Sequence, residues 1–198
     1  AEAVPGTPGG PEAGLFNTAF LDTDGDGNPD QEDDACGDLP AYELDKEFVS
    51  ATQLADGTYD VVYTIEVSNV GGAAGQYDLS DTPSFEDDVT INSGSYAGEE
   101  SGTLNTSGAT QLADDNAIAA GATELYTLTY NVTLSLDGSV NDGGDDVYTA
   151  CIGGDGEGLT GTPGTGLYNR ADLDYSNDGE PDVSDDDCGD LPNITLEK

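Results

Sequence analysis

The sequence contains no histidine, tryptophan or methionine, and its 198 residues include only 3 Lys+Arg against 42 Asp+Glu, a formal net charge of −39. Without histidine there is no Ser-His-Asp triad, no Cys-His pair and no histidine zinc site. Three cations cannot offset repulsion by phosphate backbones or anionic lipids, so nucleic acid and membrane surfaces are excluded as partners. No stretch approaches the ~20 apolar residues of a membrane-spanning helix.

Enzymatic activity has little support in this composition. A glycosidase needs only two carboxylates, so the abundance of Asp and Glu does not by itself exclude one. However, a general acid needs an apolar pocket that raises its pKa, and sugar sites usually present flat aromatic rings, of which tryptophan is absent. We therefore expect that the protein is not an enzyme.

A long internal repeat organises the chain. The segment from Gly14 to Pro40 matches the segment from Gly166 to Pro192 without a gap, at an offset of 152 residues. The match predicts three parts: a tail of a preceding repeat at residues 1–40, one full repeat at 41–192, and the first strand of a following repeat at 193–198. The alternative is that two unrelated acidic loops are alike by chance.

The full repeat is predicted to be all-β. Tyr59–Asn69 alternates with Val61, Tyr63, Ile65 and Val67 on one face, and Glu124–Leu136 places Tyr126, Leu128, Tyr130, Val132, Leu134 and Leu136 on its core face. Further strands are predicted at residues 42–48, 76–81, 89–91, 147–152 and 167–173. No segment has a sustained helical period. About seven or more strands separated by Gly, Asp and Asn turns indicate an antiparallel β-sandwich.

Several motifs of the repeat resemble the immunoglobulin-like repeat of prokaryotic cell-surface proteins. They are DLP leading a strand that ends in LDK, then VVYTIEVSNVGGAAGQYDLSDT, AIAAGATELYTLTYNV and GLYNRADL, within residues 41–175. The resemblance implies an Ig-like sandwich in an extracellular structural protein. The period exceeds the ~100 residues of a simple Ig-type domain, and we place the extra length in an elaborated loop or small hairpin at residues 83–122.

The strongest chemical signal is the first aspartate loop, DTDGDGNPDQED, at residues 22–33. Carboxylates occupy positions 1, 3, 5, 9 and 12, Gly27 occupies position 6, and Asn28 at position 7 offers its carbonyl. This spacing suits Ca²⁺, which takes six to eight oxygen ligands, better than Mg²⁺ with its rigid octahedron. The predicted carboxylate ligands are Asp22, Asp24, Asp26, Asp30 and Asp33.

The second aspartate loop, DYSNDGEPDVSD at residues 174–185, keeps most of this pattern. Ser176, a neutral ligand, stands at position 3, so we expect weaker Ca²⁺ binding than in the first loop. The predicted ligands are Asp174, Ser176, Asp178, Glu180, Asp182 and Asp185. Both loops resemble the thrombospondin type-3 and dockerin class of calcium loop. The alternative is that both are merely solvated turns.

The three cysteines fit the repeat. Cys36 and Cys188 are equivalent, and the counterpart of Cys151 would fall just before Ala1. A Cys151–Cys188 disulfide is therefore the consistent pairing, with the partner of Cys36 in the preceding unit. Such a bond indicates an oxidising, extracellular or cell-surface location. A metal cluster or catalytic thiol is the alternative, but no histidine is available to activate a thiol.

Three functions remain as hypotheses. The first is a structural repeat of a surface adhesin, stalk or fibre, in which Ca²⁺ stiffens the junctions between neighbouring repeats. The second is a subunit of a self-assembling filament, joined to identical subunits by β-strand addition. The third is a carbohydrate-binding module that takes a surface glycan or host ligand through the loops of residues 84–108.

Overall fold

The computed structural model describes residues 14–135, 151 and 161–191, and in these ranges the chain consists of antiparallel strands and turns with no helix. No helix there is long and apolar enough to cross a membrane. The strands are β1 (Leu15–Leu21), β2 (Gln31–Gly37), β3 (Tyr42–Gln53), β4 (Tyr59–Asn69), β5 (Gly75–Pro83), β6 (Val89–Ala97), β7 (Ser101–Thr103), β8 (Thr110–Ile118), β9 (Thr123–Leu134), β10 (Leu167–Asp174) and β11 (Val183–Gly189).

The strands form three sheets. The hairpin β1–β2 is a sheet by itself, and the other two have the orders β11-β10-β5-β8 and β3-β4-β9-β6-β7. Both larger sheets contribute to one hydrophobic core, which contains Tyr63 and Leu128 from one sheet and Leu79 and Leu173 from the other. We call these two sheets together the two-sheet body. The all-β prediction is therefore confirmed.

The predicted core faces are confirmed at eight positions of β4 and β9, whereas Leu134 is only partly buried and Leu136 lies outside the described residues. Alternation of β-branched and aromatic residues with polar ones favours a strand with one buried face. In β4 and β9 these eight positions are completely inaccessible to solvent. They are Val61, Tyr63, Ile65, Val67, Tyr126, Leu128, Tyr130 and Val132.

Residues 83–122 contain more regular structure than an elaborated loop. β6 and β7 form a short hairpin at one edge of the five-stranded sheet, and β8 pairs with β5 in the other sheet. The sequence does not reveal β8, because its register with β5 is irregular near Tyr77 and Leu79 and Asp115 adopts a φ of 51°. These irregularities interrupt the alternation on which strand prediction depends. The predicted strands at 147–152, apart from Cys151, and at 193–198 lie outside the described residues.

The sequence repeat is also a repeat of structure. In β1–β2 Leu15 pairs with Gly37, and in β10–β11 Leu167 pairs with Gly189, 152 residues further along in both strands. The remaining pairs follow in the same register. The hairpins differ in their surroundings, because β10 also pairs with β5, whereas among the described strands β1 pairs with β2 alone.

A polar network lies inside the two-sheet body. The side chains of Lys46 and Asp81 are fully buried, with Nζ 2.5 Å from Asp81 Oδ1. Asp81 Oδ2 accepts hydrogen bonds from the Tyr130 hydroxyl at 2.6 Å and from Asn169 Nδ2 at 3.2 Å. The network thus joins β3, β5, β9 and β10 through one carboxylate.

Candidate metal centre

The first aspartate loop is the turn of the β1–β2 hairpin. One carboxylate oxygen from each of Asp22, Asp24 and Asp30 lies within 4.8 Å of the others. Asp22 is oriented by its own loop, since its Oδ1 accepts the N–H of Gly25 at 2.7 Å and its Oδ2 accepts that of Gly27 at 2.9 Å. Both glycines have positive φ, 76° and 88°, which lets the chain curl around the carboxylate.

The second loop, in the β10–β11 hairpin, repeats these backbone hydrogen bonds, although no three of its carboxylates converge as those of Asp22, Asp24 and Asp30 do. Asp174 Oδ1 accepts the N–H of Asn177 at 2.7 Å, and Oδ2 accepts that of Gly179 at 2.8 Å. Asp182 Oδ2 accepts the N–H groups of Tyr175 and Ser176. Asn177, which replaces the first glycine, also adopts a positive φ, 55°. The two loops therefore share one backbone conformation despite their differences in sequence.

Hydrogen bonds within both loops favour the ionised form of their carboxylates. Hydrogen bonds from the N–H groups of Gly27 and Gly25 lower the pKa of Asp22. The hydroxyl and N–H of Thr23 lower the pKa of Asp30. Although partial desolvation opposes it, the N–H groups of Gly179 and Asn177 lower the pKa of Asp174 as well. Anionic oxygens in this number are ligands suited to a hard divalent cation.

Some predicted ligands are not brought into the group of three carboxylates. Asp26 Oδ1 instead accepts the N–H of Asn28, and Asp178 Oδ1 accepts that of Glu180. Asp33 lies within β2, opposite Ala19. Neither Asp26 nor Asp33 belongs to the group of clustered carboxylates in the first loop.

Asp185 is predicted as a calcium ligand, but in the structure its carboxylate bonds to the backbone of β3. Its Oδ2 accepts the N–H of Lys46 at 2.7 Å, and Asp187 Oδ2 accepts the N–H of Phe48 at 2.6 Å. These two acids lie on the same face of β11 and connect it to the edge strand β3. The sequence signal that could have revealed them is their i, i+2 spacing, typical of one face of a strand.

The second loop lies at the end of the two-sheet body where β3 begins. The rings of Tyr42 and Tyr175 stack with centroids 4.8 Å apart, and Asn177 Nδ2 donates to Asp115 Oδ1 at 3.0 Å. A cavity of about 220 Å³ is lined here by residues that include Pro40, Tyr42 and Asp174. Pro40 belongs to the linker that follows β2, so the second loop adjoins the segment from the first hairpin.

Near the other end of β10, Cys151 and Cys188 form a disulfide with a Cα–Cα distance of 5.8 Å. This confirms the pairing deduced from the repeat. The bond closes a sequence separation of 37 residues and fixes the end of β11. Cys36, the equivalent of Cys188, lies at the same register position in β2, opposite Phe16.

A second group of converging carboxylates follows β5. Glu86, Asp87 and Asp88 each place one oxygen within 4.8 Å of the others, an arrangement that could hold a cation or share a proton. Glu86 is only 1% exposed, and its Oε2 accepts the N–H of Asp88. Burial, followed by the proximity of Asp87 and Asp88, raises the pKa of Glu86 to about 7.

Comparison with known proteins adds no assignment: no protein-family model, curated protein or solved structure matches this chain.

Proposed function

We propose that this chain is a unit of a tandem array in an extracellular surface protein, a stalk, fibre or adhesin, and that it performs a structural rather than an enzymatic task. In this proposal the two-sheet body is an Ig-like sandwich that extends over residues 41–192. Residues 1–40 complete the preceding sandwich, and residues 193–198 start the following one.

One observation carries the proposal. Four residues on one face of β1 are exposed to solvent, whereas the equivalent four residues of β10 face the core and are completely buried. Leu173 is 0% exposed in β10, whereas Leu21, its equivalent in β1, is 52% exposed. Leu15, Asn17 and Ala19 are likewise exposed, and their equivalents Leu167, Asn169 and Ala171 are not. An apolar strand face of this kind is suited to a sheet supplied by another unit.

A preceding repeat in the same chain is a better occupant of that face than a second identical subunit. The position that β1 would take, beside β5, is already filled by β10, from Asn169 opposite Pro83 to Asp174 opposite Asp78. A second subunit would have to displace a strand with four core residues. This favours the tandem array over a filament built by strand exchange. For a carbohydrate-binding function the described residues offer no specific support.

Calcium is the cation that we assign to the two aspartate loops. Their carboxylates repel one another without a counterion, and neutralisation would stiffen each hairpin turn. The second loop adjoins the linker through Tyr42, so we propose that Ca²⁺ in a repeat supports the junction through which the chain enters that repeat. The disulfide supports an oxidising location such as the cell surface.

Isothermal titration calorimetry with CaCl₂ tests the assignment on the full chain. We expect two binding events, the tighter one lost in Asp22→Asn and the weaker one lost in Asp174→Asn. Glu99→Gln, which removes one exposed acid outside the loops, is the matched control for charge and should leave both events unchanged. The assignment fails if the native chain takes up no calcium, or if both loop variants bind as the native chain does.

A further inference from the structure

The turn that follows β5, residues 84–88, keeps two acidic side chains away from solvent. Glu86 is 1% exposed and Asp88 is 5% exposed. A buried carboxylate is costly unless a positive charge or a proton accompanies it. The two basic side chains that the structure describes, Lys46 and Arg170, are each paired with a carboxylate outside the turn. Neither therefore supplies the counter-charge that this turn requires.

Glu86 provides a second, independent observation. Its Oε2 accepts the N–H of Asp88 at 2.9 Å, but its Oε1 is buried with no hydrogen-bond partner among the described residues. One carboxylate oxygen from each of Glu86, Asp87 and Asp88 lies within 4.8 Å of the others. A buried oxygen of this kind needs an explanation, and ionised carboxylates have no hydrogen to donate to it. The explanation is therefore a cation or a proton held between these oxygens.

The backbone of the turn prevents its carboxylates from moving apart. Glu86 donates its N–H to the carbonyl of Gly166 at 3.0 Å, and the carbonyl of Asp88 accepts the N–H of Ser135 at 2.9 Å. The ring of Phe85 packs against two tyrosines of the core. The turn is thus attached to the segment before β10, to the end of β9 and to the core. Its acidic groups are held together in advance of any ligand.

We propose that Glu86, Asp87 and Asp88 form a further divalent cation site of this chain, and that its ion is Mg²⁺ rather than Ca²⁺. The turn offers few other oxygens, because the carbonyl of Glu86 accepts the N–H of Val89 at 3.0 Å and that of Asp88 is bonded as described above. Ca²⁺ takes six to eight oxygen ligands, whereas Mg²⁺ is commonly held by one or two carboxylates and keeps several waters. Asp87 is exposed, so water can reach the ion and complete its shell.

The site is separate from the two aspartate loops. Glu86 bonds to Gly166, which precedes β10, whereas the second aspartate loop follows the other end of that strand. The ion would neutralise buried charge at the end of the two-sheet body that carries the Cys151–Cys188 disulfide. The proposal does not depend on calcium binding by either loop.

Electron paramagnetic resonance with Mn²⁺ tests the proposal on the full chain. Mn²⁺ takes the same oxygen ligands as Mg²⁺, and the sharp signal of the free ion is lost when it binds. The double variant Asp22→Asn, Asp174→Asn removes a carboxylate from each aspartate loop. In this variant we expect one bound Mn²⁺ per chain, displaced by Mg²⁺ at a lower concentration than by Ca²⁺. The absence of bound Mn²⁺ would overturn the proposal and assign the cluster to a shared proton, and more effective displacement by Ca²⁺ would overturn the choice of ion.

A further substitution in the double variant identifies the ligands. Asp87→Asn changes an exposed side chain, and we expect it to weaken Mn²⁺ binding by about tenfold. Glu99→Gln removes an exposed acid elsewhere and is the matched control, which should bind Mn²⁺ unchanged. Circular dichroism checks that each variant is folded. Equal Mn²⁺ affinity in Asp87→Asn and the control would overturn the proposal. If the double variant does not fold, the same comparison in the native chain loaded with two equivalents of CaCl₂ decides it.

Discussion

The ring of Tyr42 stacks on the ring of Tyr175 at 4.8 Å between centroids. Tyr42 opens β3, directly after the linker from the first hairpin, and Tyr175 occupies the second position of the second aspartate loop. The loop, which the sequence places at a junction between repeats, therefore lies against the start of β3. It is a hairpin turn that packs against the point of entry of the chain.

Removing this stack should loosen the loop without unfolding the core. We expect Tyr175→Ala to lower the free energy of unfolding by about 1 kcal/mol and to speed amide exchange in residues 174–182, because stacked aromatic pairs contribute roughly 0.5–1.5 kcal/mol. Tyr175→Phe keeps the ring and is the control. Equal exchange rates in the alanine and phenylalanine variants would contradict the role of the stack.

Exchanging the ligands at position 3 should exchange the calcium affinities of the two loops. Asp24→Ser removes a carboxylate from the first loop, and Ser176→Asp adds one to the second, where Ser176 contacts Asp174. We expect each change to shift the affinity of its own loop by about tenfold, down for the first and up for the second. Calorimetric titration measures both. Shifts in the same direction would show that position 3 does not set affinity.

Loss of the Cys151–Cys188 bond should destabilise the protein substantially. For a loop of 37 residues the chain-entropy estimate is about 3–4 kcal/mol. Urea unfolding of Cys151→Ser should give a decrease of this size, and Cys36→Ser should retain the disulfide and most of the stability. A cost below about 1 kcal/mol would mean that the bond does not constrain the unfolded chain as this estimate assumes.

Glu86 should make stability depend on pH. Its pKa is raised from 4.5 to about 7 in the folded protein, first by burial, so the folded state binds the proton more tightly. The stabilisation from this proton is complete below pH ~4.5 and is lost as the pH rises through about 7. With chelator present, stability relative to Glu86→Gln should fall by roughly 1–3 kcal/mol over this interval. A difference that is constant with pH would contradict the buried, protonated state.

Regular alternation made much of the fold predictable. The alternation predicts β4 and β9 with their buried faces because every second residue is apolar, as suits strands that lie in the middle of a sheet. The sequence does not predict β8, because Asp115 and two register irregularities break its pattern. The sequence does not predict β2 and β11 as strands either, because their many acidic residues resemble a continuation of the aspartate loops.

The sequence predicts the carboxylates that converge in the first aspartate loop, but it does not predict the environment of Asp185, the last residue of the second loop. Asp22, Asp24 and Asp30 converge because glycine turns of known geometry fix local structure. Asp185 bonds to Lys46, which lies 139 residues away in sequence, and no local spacing reports such a contact. The network of Lys46, Asp81 and Asn169 was also beyond local analysis, since its members lie on three strands of two sheets.

The central claim is that β1–β2 is the final hairpin of a preceding unit, and an extended chain tests it most directly. A copy of residues 40–165 placed before Gly14 supplies the missing unit. We expect the amides of residues 15–21 to exchange quickly in the present chain and to become as protected as those of residues 167–173 in the extended chain. Cys36 should form a disulfide with the Cys151 of the added copy. Rapid exchange in residues 15–21 of the extended chain, with Cys36 not joined to that cysteine, would contradict the account.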